Sequence, residues 1–512
     1  MDTLKINEEY SDATLNISFD TLRINKQALI FVNTKRSAES LAEKIAIKVK
    51  DVKLEAIAKE IREALSRPTK QCERLAKCVE KGIAFHHSGL ASAQREIVED
   101  NFRNGNIKII CSTPTLAMGI DMPAFRTIIK DLKRYGGHWG MEWIQVLEYH
   151  QMAGRAGRPG KEDYGEAICI AGSESERDNI VQNFINGDPE NIYSKLAVEP
   201  VLRTYVLSLI STGFVKNKKE LVDFFSRTFW AHQYKDTQKL VMLLNKVIKL
   251  LEEWEFLTKE GDFRQASIDE PLEATLLGKR VAELYIDPLT ADFMINCMRR
   301  GVKKEAKEFS YMHMVASTLE MRPAFRARVK EILIVESKIA ENEQTIINPP
   351  PSLYEPEYEE YLSTIKTAIV FEEWCNELDE HDLLEKYDVR PGEFRTKLEE
   401  ADWLLNSAAE FARLIGLLDL IKDIRKTQVR MKYGAKEELI PLLKLRNVGR
   451  IRARMLYKNG IKDLGDLGKA DLMKLVQLLG PALAKDVKSQ IGQETEEVKT
   501  GKRKGQKSVD DY

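Results

Sequence analysis

None of the six cysteines (Cys72, Cys78, Cys111, Cys169, Cys297 and Cys375) stands in a CxxC pair. That spacing argues against zinc ribbons and against a disulfide framework, so no metal centre is expected and a reducing compartment is the natural reading. No apolar run approaches the roughly 18 residues that a membrane helix needs. The opening MDTLKINEEYSDATLNISFD lacks the basic-then-apolar order of a secretory signal. A soluble, cytoplasmic chain with no membrane partner is expected. An excess of one charge is missing too: 79 Lys+Arg against 80 Asp+Glu leave a formal net charge of -1. No global field draws this molecule onto a polyanion, and any such contact has to come from local patches. At 512 residues the chain is too long for one core, and roughly three to five domains are expected.

What is present begins with alternation. ALIFV (28–32), GIAF (82–85), IKIICS (107–112), RTIIK (126–130) and EAICIAG (166–172) are short apolar runs separated by helix-like segments such as SAESLAEKIAIKVK and SAQREIVEDNFRNG. This pattern predicts an α/β lobe, a parallel sheet with helices on both faces. The loops NTKR, HHSGL and STPTLAMGID follow strands, where such sheets bind ligands. After about residue 190 the pattern turns mainly α. PVLRTYVLSLI, KELVDFFSRTFW and TQKLVMLLNKVIKLLEEW have the size of winged-helix helices, and FLTKEGDFRQ reads as the wing. From 287 to about 435 the text is almost wholly helical, crossed by the semi-rigid NPPPSLYEPEY. LLKLRNVGRIRARMLYKNGI and LVQLLGPALAKDVKSQIG then read as helix pairs around glycine-bearing turns, and TGKRKGQKSVDDY as a disordered tail.

The densest signal is QMAGRAGRPG, residues 151–160, with two arginines three apart on small residues. Such a pair suits a nucleotide's terminal phosphate, given a partner surface that already cradles the nucleotide. Yet GxxxxGK[ST] occurs nowhere: in GRAGRPGK the glycine spacing differs and Glu162 follows the lysine. DEHD (379–382) has no buried strand before it and reads as an acidic helix N-terminus.

Gln151, Gly154, Arg155 and Arg158 match QxxGRxxR, and ALIFVNTKRSAE, FHHSGL and CSTPTLAMGIDMPA precede it in order. Together these resemble the Hjm family of archaeal branch-migration helicases, Ski-type superfamily two DNA helicases related to the helicase half of DNA polymerase theta. The resemblance covers the chain from about Leu22. It implies a second RecA-like lobe in which Arg155 and Arg158 address the γ-phosphate of ATP, with Mg²⁺, across a cleft. It also implies that Gln151 senses the nucleotide and that Gly119 and Asp121 couple its state to DNA; Asp121 stands where the family often carries asparagine. The first lobe, with the phosphate loop and the Mg²⁺ ligands, is expected to be a separate partner in cis or trans.

Nucleic-acid contacts are expected from several places. Asn33, Thr34, Arg36, Ser88, Gly89 and Thr113 sit on loops whose N–H groups and hydroxyls can hold the phosphates of one strand, or serve as ordinary loop residues. KDLKRYGGHWGMEWIQVLEYH predicts a hairpin with Tyr135 and Trp139 beside a glycine-rich tip. In the resembled family a hairpin here opens the duplex; packing against the next domain is the other reading. The family also threads single-stranded DNA past a long helix bearing an arginine and a tryptophan. Arg395 and Trp403 match, about 80° apart around the axis, with Trp403 either a DNA contact or a core residue. Gly449, Arg450, Arg452 and Arg454 belong to a helix-hairpin-helix that either holds phosphates or packs against protein. In the tail, Gln506, Val509 and Tyr512 are spaced as in peptides that dock on sliding clamps.

The expected division is an N-terminal lead-in (1–20), the second RecA-like lobe (21–190), a winged helix (191–286), a helical ratchet domain (287–435), a helix-hairpin-helix domain (436–497) and a tail (498–512). The expected function is the C-terminal part of an ATP-dependent 3′ to 5′ DNA helicase at stalled or branched forks, nucleoid-associated and inactive alone. A Ski-type RNA helicase and a non-catalytic DNA-binding or regulatory module are the alternatives.

Overall fold

The computed structural model describes residues 5–50, 52–65, 67–135, 140–158, 160, 162–196, 198–258 and 271–493. Trp139 and the tail residues Gln506, Val509 and Tyr512 lie outside them, as does most of the expected wing, and Tyr135 is described by its backbone alone. The described residues fall into two compact units. The first holds those up to residue 196 together with 228–235 and 379–397, and the second holds the remainder.

The first unit is built on seven strands: β1 Ala28–Phe31, β2 Ile83–His86, β3 Ile109–Ser112, β4 Arg126–Ile129, β5 Lys133–Tyr135, β6 Met141–Trp143 and β7 Glu166–Cys169. Five of them form a parallel sheet in the order β2-β3-β1-β4-β7. Strands β1 to β4 are buried along their whole length, because both faces carry helices and every position must be apolar or hydrogen-bonded. The expected helices are present as Lys35–Ala46, where the Thr34 side chain accepts from Ser37 N–H, and Ser92–Arg103. Two more, Glu55–Glu63 and Lys70–Val79, fill the crossover from β1 to β2. They are short and charge-rich, and their apolar stripe gains meaning only once the sheet is there to receive it. A further helix, Ala13–Arg23, lies within and beyond what the sequence suggests as a lead-in. It is tied to β4 by Arg126, only 2 % exposed, which bonds Asp20 (3.0 Å), Thr21 Oγ1 (2.7 Å) and Glu166.

The expected hairpin forms as β5 paired antiparallel with β6, Tyr135 opposite Met141. DEHD starts the helix Glu380–Tyr387, with the Asp379 carboxylate accepting from Asp382 N–H at 2.9 Å. It is thus a capping cluster of the kind read from sequence.

In the second unit, Glu199–Ser211, Lys218–Ser226 and Thr237–Glu253 are the three helices of the winged-helix pattern, with antiparallel bridges Asn217↔Pro271 and Leu257↔Ala274 beside them. Pro288–Lys304, Glu308–Ala316, Ile332–Glu341, Glu357–Cys375 and Leu418–Tyr433 follow as an all-helical region, without helix across most of the proline-rich segment. The helix Pro391–Leu414 begins among the first unit's residues and ends among the second's. Short helices between Ile440 and Gln490 enclose a separate apolar cluster that includes Leu442, Val448, Leu456, Leu467, Leu475 and Val487. Among the described residues no helix is long and apolar enough to cross a membrane, and no group of three His, Cys, Asp or Glu could hold a metal ion.

Candidate functional site at the two edges of the sheet

The GRAGRPG turn sits at the amino edge of the sheet. Ala124, two residues before β4, donates to the Arg155 carbonyl (2.9 Å) and accepts from Gly157 N–H (2.7 Å). Gly157 has φ +89°, and a Cβ at Gly165 would lie 2.1 Å from the Gly157 nitrogen, so two glycines are required for this close approach. The turn leaves the helix Val146–Ala153, whose first N–H groups, Val146 and Leu147, donate to the Glu190 carboxylate. Gln151 is exposed on its last turn.

Arg155 reaches along the chain segment that joins β3 to β4. Its Nε and Nη2 donate to the Ala117 carbonyl (3.2 and 2.6 Å), and Nη1 lies 3.8 Å from Asp121, a side chain 97 % exposed. Gly119 has φ +78°, and a Cβ placed on it would meet nothing within 4 Å. Arg158 turns the other way, toward Gln27 just before β1 and toward Glu162, whose side chain is 2 % exposed. Burial works against a charged Glu162, but the hydrogen bond and charge of Arg158, joined by Lys26, outweigh it and hold the carboxyl below its ordinary value. Gln27 in turn donates to the Phe102 and Ile107 carbonyls, both at 2.7 Å.

The other expected contacts lie at the opposite, carboxyl edge. Asn33 follows β1, donating from its backbone to Asp131 (3.1 Å) and from its side chain to the Lys133 carbonyl. Thr34 and Arg36 are exposed, and Arg36 has no ion pair among the described residues. Ser88 is exposed after β2 while Gly89 is buried. Thr113, after β3, shares a 2.8 Å hydrogen bond with Thr115. The segment 113–124 therefore runs from this edge to the arginine-bearing one, and Arg155 holds it midway.

Elsewhere the placements are more mixed. Arg395 is half exposed, with its guanidinium on Glu380 (2.8 Å). Trp403 is partly buried and donates its indole N–H to the Leu284 carbonyl at 3.0 Å. Gly449 is the N-cap of the helix Arg450–Lys458, and a Cβ placed on it would meet nothing within 4 Å. Arg450 stacks on Trp374 (4.3 Å) and donates to the Leu378 and Gly434 carbonyls, and Arg454 pairs with Glu377 and Glu438. Arg452 is exposed, and its guanidinium donates to the Asn447 carbonyl of the preceding turn at 2.8 Å.

Comparison with known proteins now bears on this arrangement. Residues 56–160 match the helicase conserved C-terminal domain, 165–258 a helix-turn-helix domain and 309–434 the archaeal helicase domain 4. The ATP-dependent DNA helicase Hel308 of Pyrococcus horikoshii is 34 % identical over 504 residues, covering 96 % of this chain and 67 % of the relative. The chain belongs to the Hel308 family. The Hel308 proteins of Methanocella arvoryzae and Pyrobaculum calidifontis are each 36 % identical, over 96 % and 94 % of this chain and 66 % of their own lengths. The chain thus spans about two thirds of the length of these Hel308 relatives.

The relatives are named as ATP-dependent, and at the amino edge two guanidiniums, each about one-fifth exposed, stand at one turn: Arg155 has a nitrogen 3.8 Å from its nearest carboxylate, whereas Arg158 is paired with Glu162 and fits a polyphosphate only if it leaves that carboxylate. The amino edge does not suit Mg²⁺, since the described residues offer no cluster of metal ligands. Sequence reasoning missed Glu162 and Gln27 as partners of Arg158. The i,i+4 spacing of Arg158 and Glu162 was available as a signal; nothing in the sequence marks Gln27. It also missed Trp143 on the hairpin, 39 % exposed beneath Lys133 (4.2 Å), and the buried partners of the HHSGL loop described below.

Proposed function

We propose that the chain is the arginine-bearing and strand-holding part of an ATP-dependent 3′ to 5′ DNA helicase that works at stalled or branched forks, as the likeness to branch-migration helicases suggests. The observation that carries this reading is the separation of the two sets of residues. Arg155 and Arg158 stand at the amino edge of the sheet, while Asn33, Thr34, Arg36, Ser88 and Thr113 stand at the carboxyl edge, with 113–124 between them. In this reading a nucleotide held by a first RecA-like lobe meets the arginines, which stabilise charge on its terminal phosphate, and Gln151 senses it. Arg158 leaves Glu162 to do so, and a shift of Arg155 moves Ala117, Gly119 and Asp121 and with them the strand-holding edge. The first lobe supplies the Mg²⁺ ligands.

The winged helix (191–286), ratchet domain (287–435) and helix-hairpin-helix (436–497) guide the strand, with the β5–β6 hairpin at the duplex junction and Arg395, Trp403, Gly449 and Arg452 as contacts. Arg450 and Arg454 are already engaged by Trp374, Leu378, Gly434 and Glu377 of the ratchet domain. The sliding clamp, through the tail, and a cytoplasmic, nucleoid-associated setting belong to the same proposal.

The test is reconstitution. The purified chain alone is expected to hydrolyse no ATP, and adding a separately produced first lobe should give DNA-stimulated hydrolysis. Arg155→Ala or Arg158→Ala should then lower turnover by roughly 10³ or more with DNA binding nearly intact. Robust hydrolysis by the chain alone would overturn the reading.

A further inference from the structure

The loop after β2 is held by an unusual amount of buried polar structure for one exposed serine. His87 is fully buried, stacked on Phe85 with ring centroids 5.6 Å apart. Gly89 N–H donates to its Nδ1 (3.2 Å), so the ring proton sits on Nε2 and is donated to Glu39 at 3.1 Å. Glu39, 3 % exposed, also accepts from Gln71 (2.8 Å) and Arg74 (2.6 Å), and Arg390 Nε lies 3.8 Å from it.

On its other side the loop is moulded against the start of the helix Pro391–Leu414. Gly392 N–H donates to the Gly89 carbonyl at 3.2 Å. A Cβ at 392 would lie 2.2 Å from the Leu90 oxygen and 2.4 Å from the Ser88 oxygen, and one at 89 would lie 2.4 Å from Arg390 Cδ. The carbonyls of 88–90 are thus gathered around Gly392. Ser88 is left exposed, with its N–H and hydroxyl making no hydrogen bond among the described residues. The same stretch is pinned to the lobe by Arg67 on Asp379 (2.8 Å), Lys70 on Glu385 (2.7 Å) and Lys35 on Glu393.

We propose that Gly392 and Arg390, acting with the buried Glu39–His87 pair, are positioning residues that aim the two free donors of Ser88 at a phosphate of bound single-stranded DNA. The donors belong to a short loop that would otherwise sample many conformations, and a hydrogen bond to a charged acceptor is worth most when its donor is already in place. Gly392 is needed for a reason that no side chain can satisfy, since two carbonyl oxygens occupy the space of its Cβ. This inference rests on the proposed DNA-binding function, and the experiment separates the two.

Affinity for a labelled oligothymidylate is measured for the unmodified chain, Ser88→Ala, Gly392→Ala and the double variant, with melting temperatures alongside. Ser88→Ala is expected to weaken binding by about ten-fold in the unmodified background and by less than about two-fold in the Gly392→Ala background, because the misplaced loop no longer uses its hydroxyl. If Gly392→Ala fails to fold, Arg390→Ala takes its place with the same pattern expected, and Arg390→Lys should restore part of the Ser88 effect. An equal Ser88→Ala loss in both backgrounds would overturn the positioning role while leaving the DNA-binding reading intact. No binding by the unmodified chain would overturn both.

Discussion

Glu39 and His87 show what burial does to two titratable groups that share one proton contact. Burial opposes the charged form of Glu39, but the hydrogen bonds of His87 and Gln71 and the charge of Arg74 prevail, and its carboxyl is held down to about 2 from an ordinary 4.5. His87 is depressed from 6.5, chiefly by burial, against the pull of Glu39. Both groups bind protons more readily when the chain is unfolded, so each contributes stability above its ordinary value that is lost as the pH falls. For His87 that loss begins below about 6.5; for Glu39 it runs from 4.5 down toward about 2. Glu39→Gln is therefore expected to melt at lower temperature than the unmodified chain at neutral pH, with the gap narrowing as the pH drops below 4.5. Calorimetry across that range checks it, and a gap independent of pH would show that the carboxylate's charge contributes nothing. The residues concerned were half legible in the sequence. FHHSGL was read as a strand followed by a ligand loop, but a histidine in a loop carries no mark of the glutamate, 48 residues upstream, that will receive its proton.

At the scale of elements, the helix Pro391–Leu414 carries the sharpest question, because Trp403 was read either as a DNA contact or as core. In the structure the indole is partly buried and its N–H is donated to the Leu284 carbonyl at 3.0 Å, while a contact with DNA stays a proposal. The two roles use different parts of the ring. Trp403→Phe keeps an aromatic face and removes the donor, so a lower melting temperature with nearly unchanged DNA affinity is expected. Trp403→Ala removes both and should also weaken oligonucleotide binding by about 1–3 kcal/mol if bases stack there. Equal affinity for the alanine variant and the unmodified chain, both measured while folded, would leave the tryptophan as packing alone. Strands β1 to β4 were readable because continuous apolar runs bounded by loops have few other interpretations. Helices Glu55–Glu63 and Lys70–Val79 were not, since their few apolar positions are ordered by contact with the sheet and with each other.

For the molecule as a whole, near-neutral charge sets the terms of binding. With a formal net charge of -1, single-stranded DNA can be held only where cations or free N–H groups collect locally, and many of the arginines are already engaged: Arg74, Arg126, Arg158, Arg450 and Arg454 all serve internal partners. Affinity should fall with salt at about 0.7 logarithmic units per phosphate contact. Arg36→Ala and Arg452→Ala should each flatten that slope by about 0.7, whereas Arg454→Ala should act mainly on stability, because it breaks the pairs with Glu377 and Glu438. Titrations over a series of salt concentrations decide this, and an unchanged slope for both Arg36→Ala and Arg452→Ala would remove them from the contact set.

The sequence by itself determined the α/β lobe, the order of the loops that follow its strands, the hairpin, the helical nature of the rest and the QxxGRxxR arginines. All of these are local signals, written in periodicities of two or 3.6 and in glycine placements that each segment carries alone. It also pointed to archaeal DNA helicases, and the relatives establish the Hel308 family among them. Only the tertiary structure decided that the arginines and the loop residues occupy opposite edges of one sheet, and that Arg158 rests on Glu162 and Gln27. It alone brought Gly392 against the loop of Ser88 across some three hundred residues of chain, a separation of 304 by residue number. Such contacts depend on which surfaces meet after the elements have formed, and a one-dimensional pattern holds no record of a neighbour that only packing supplies.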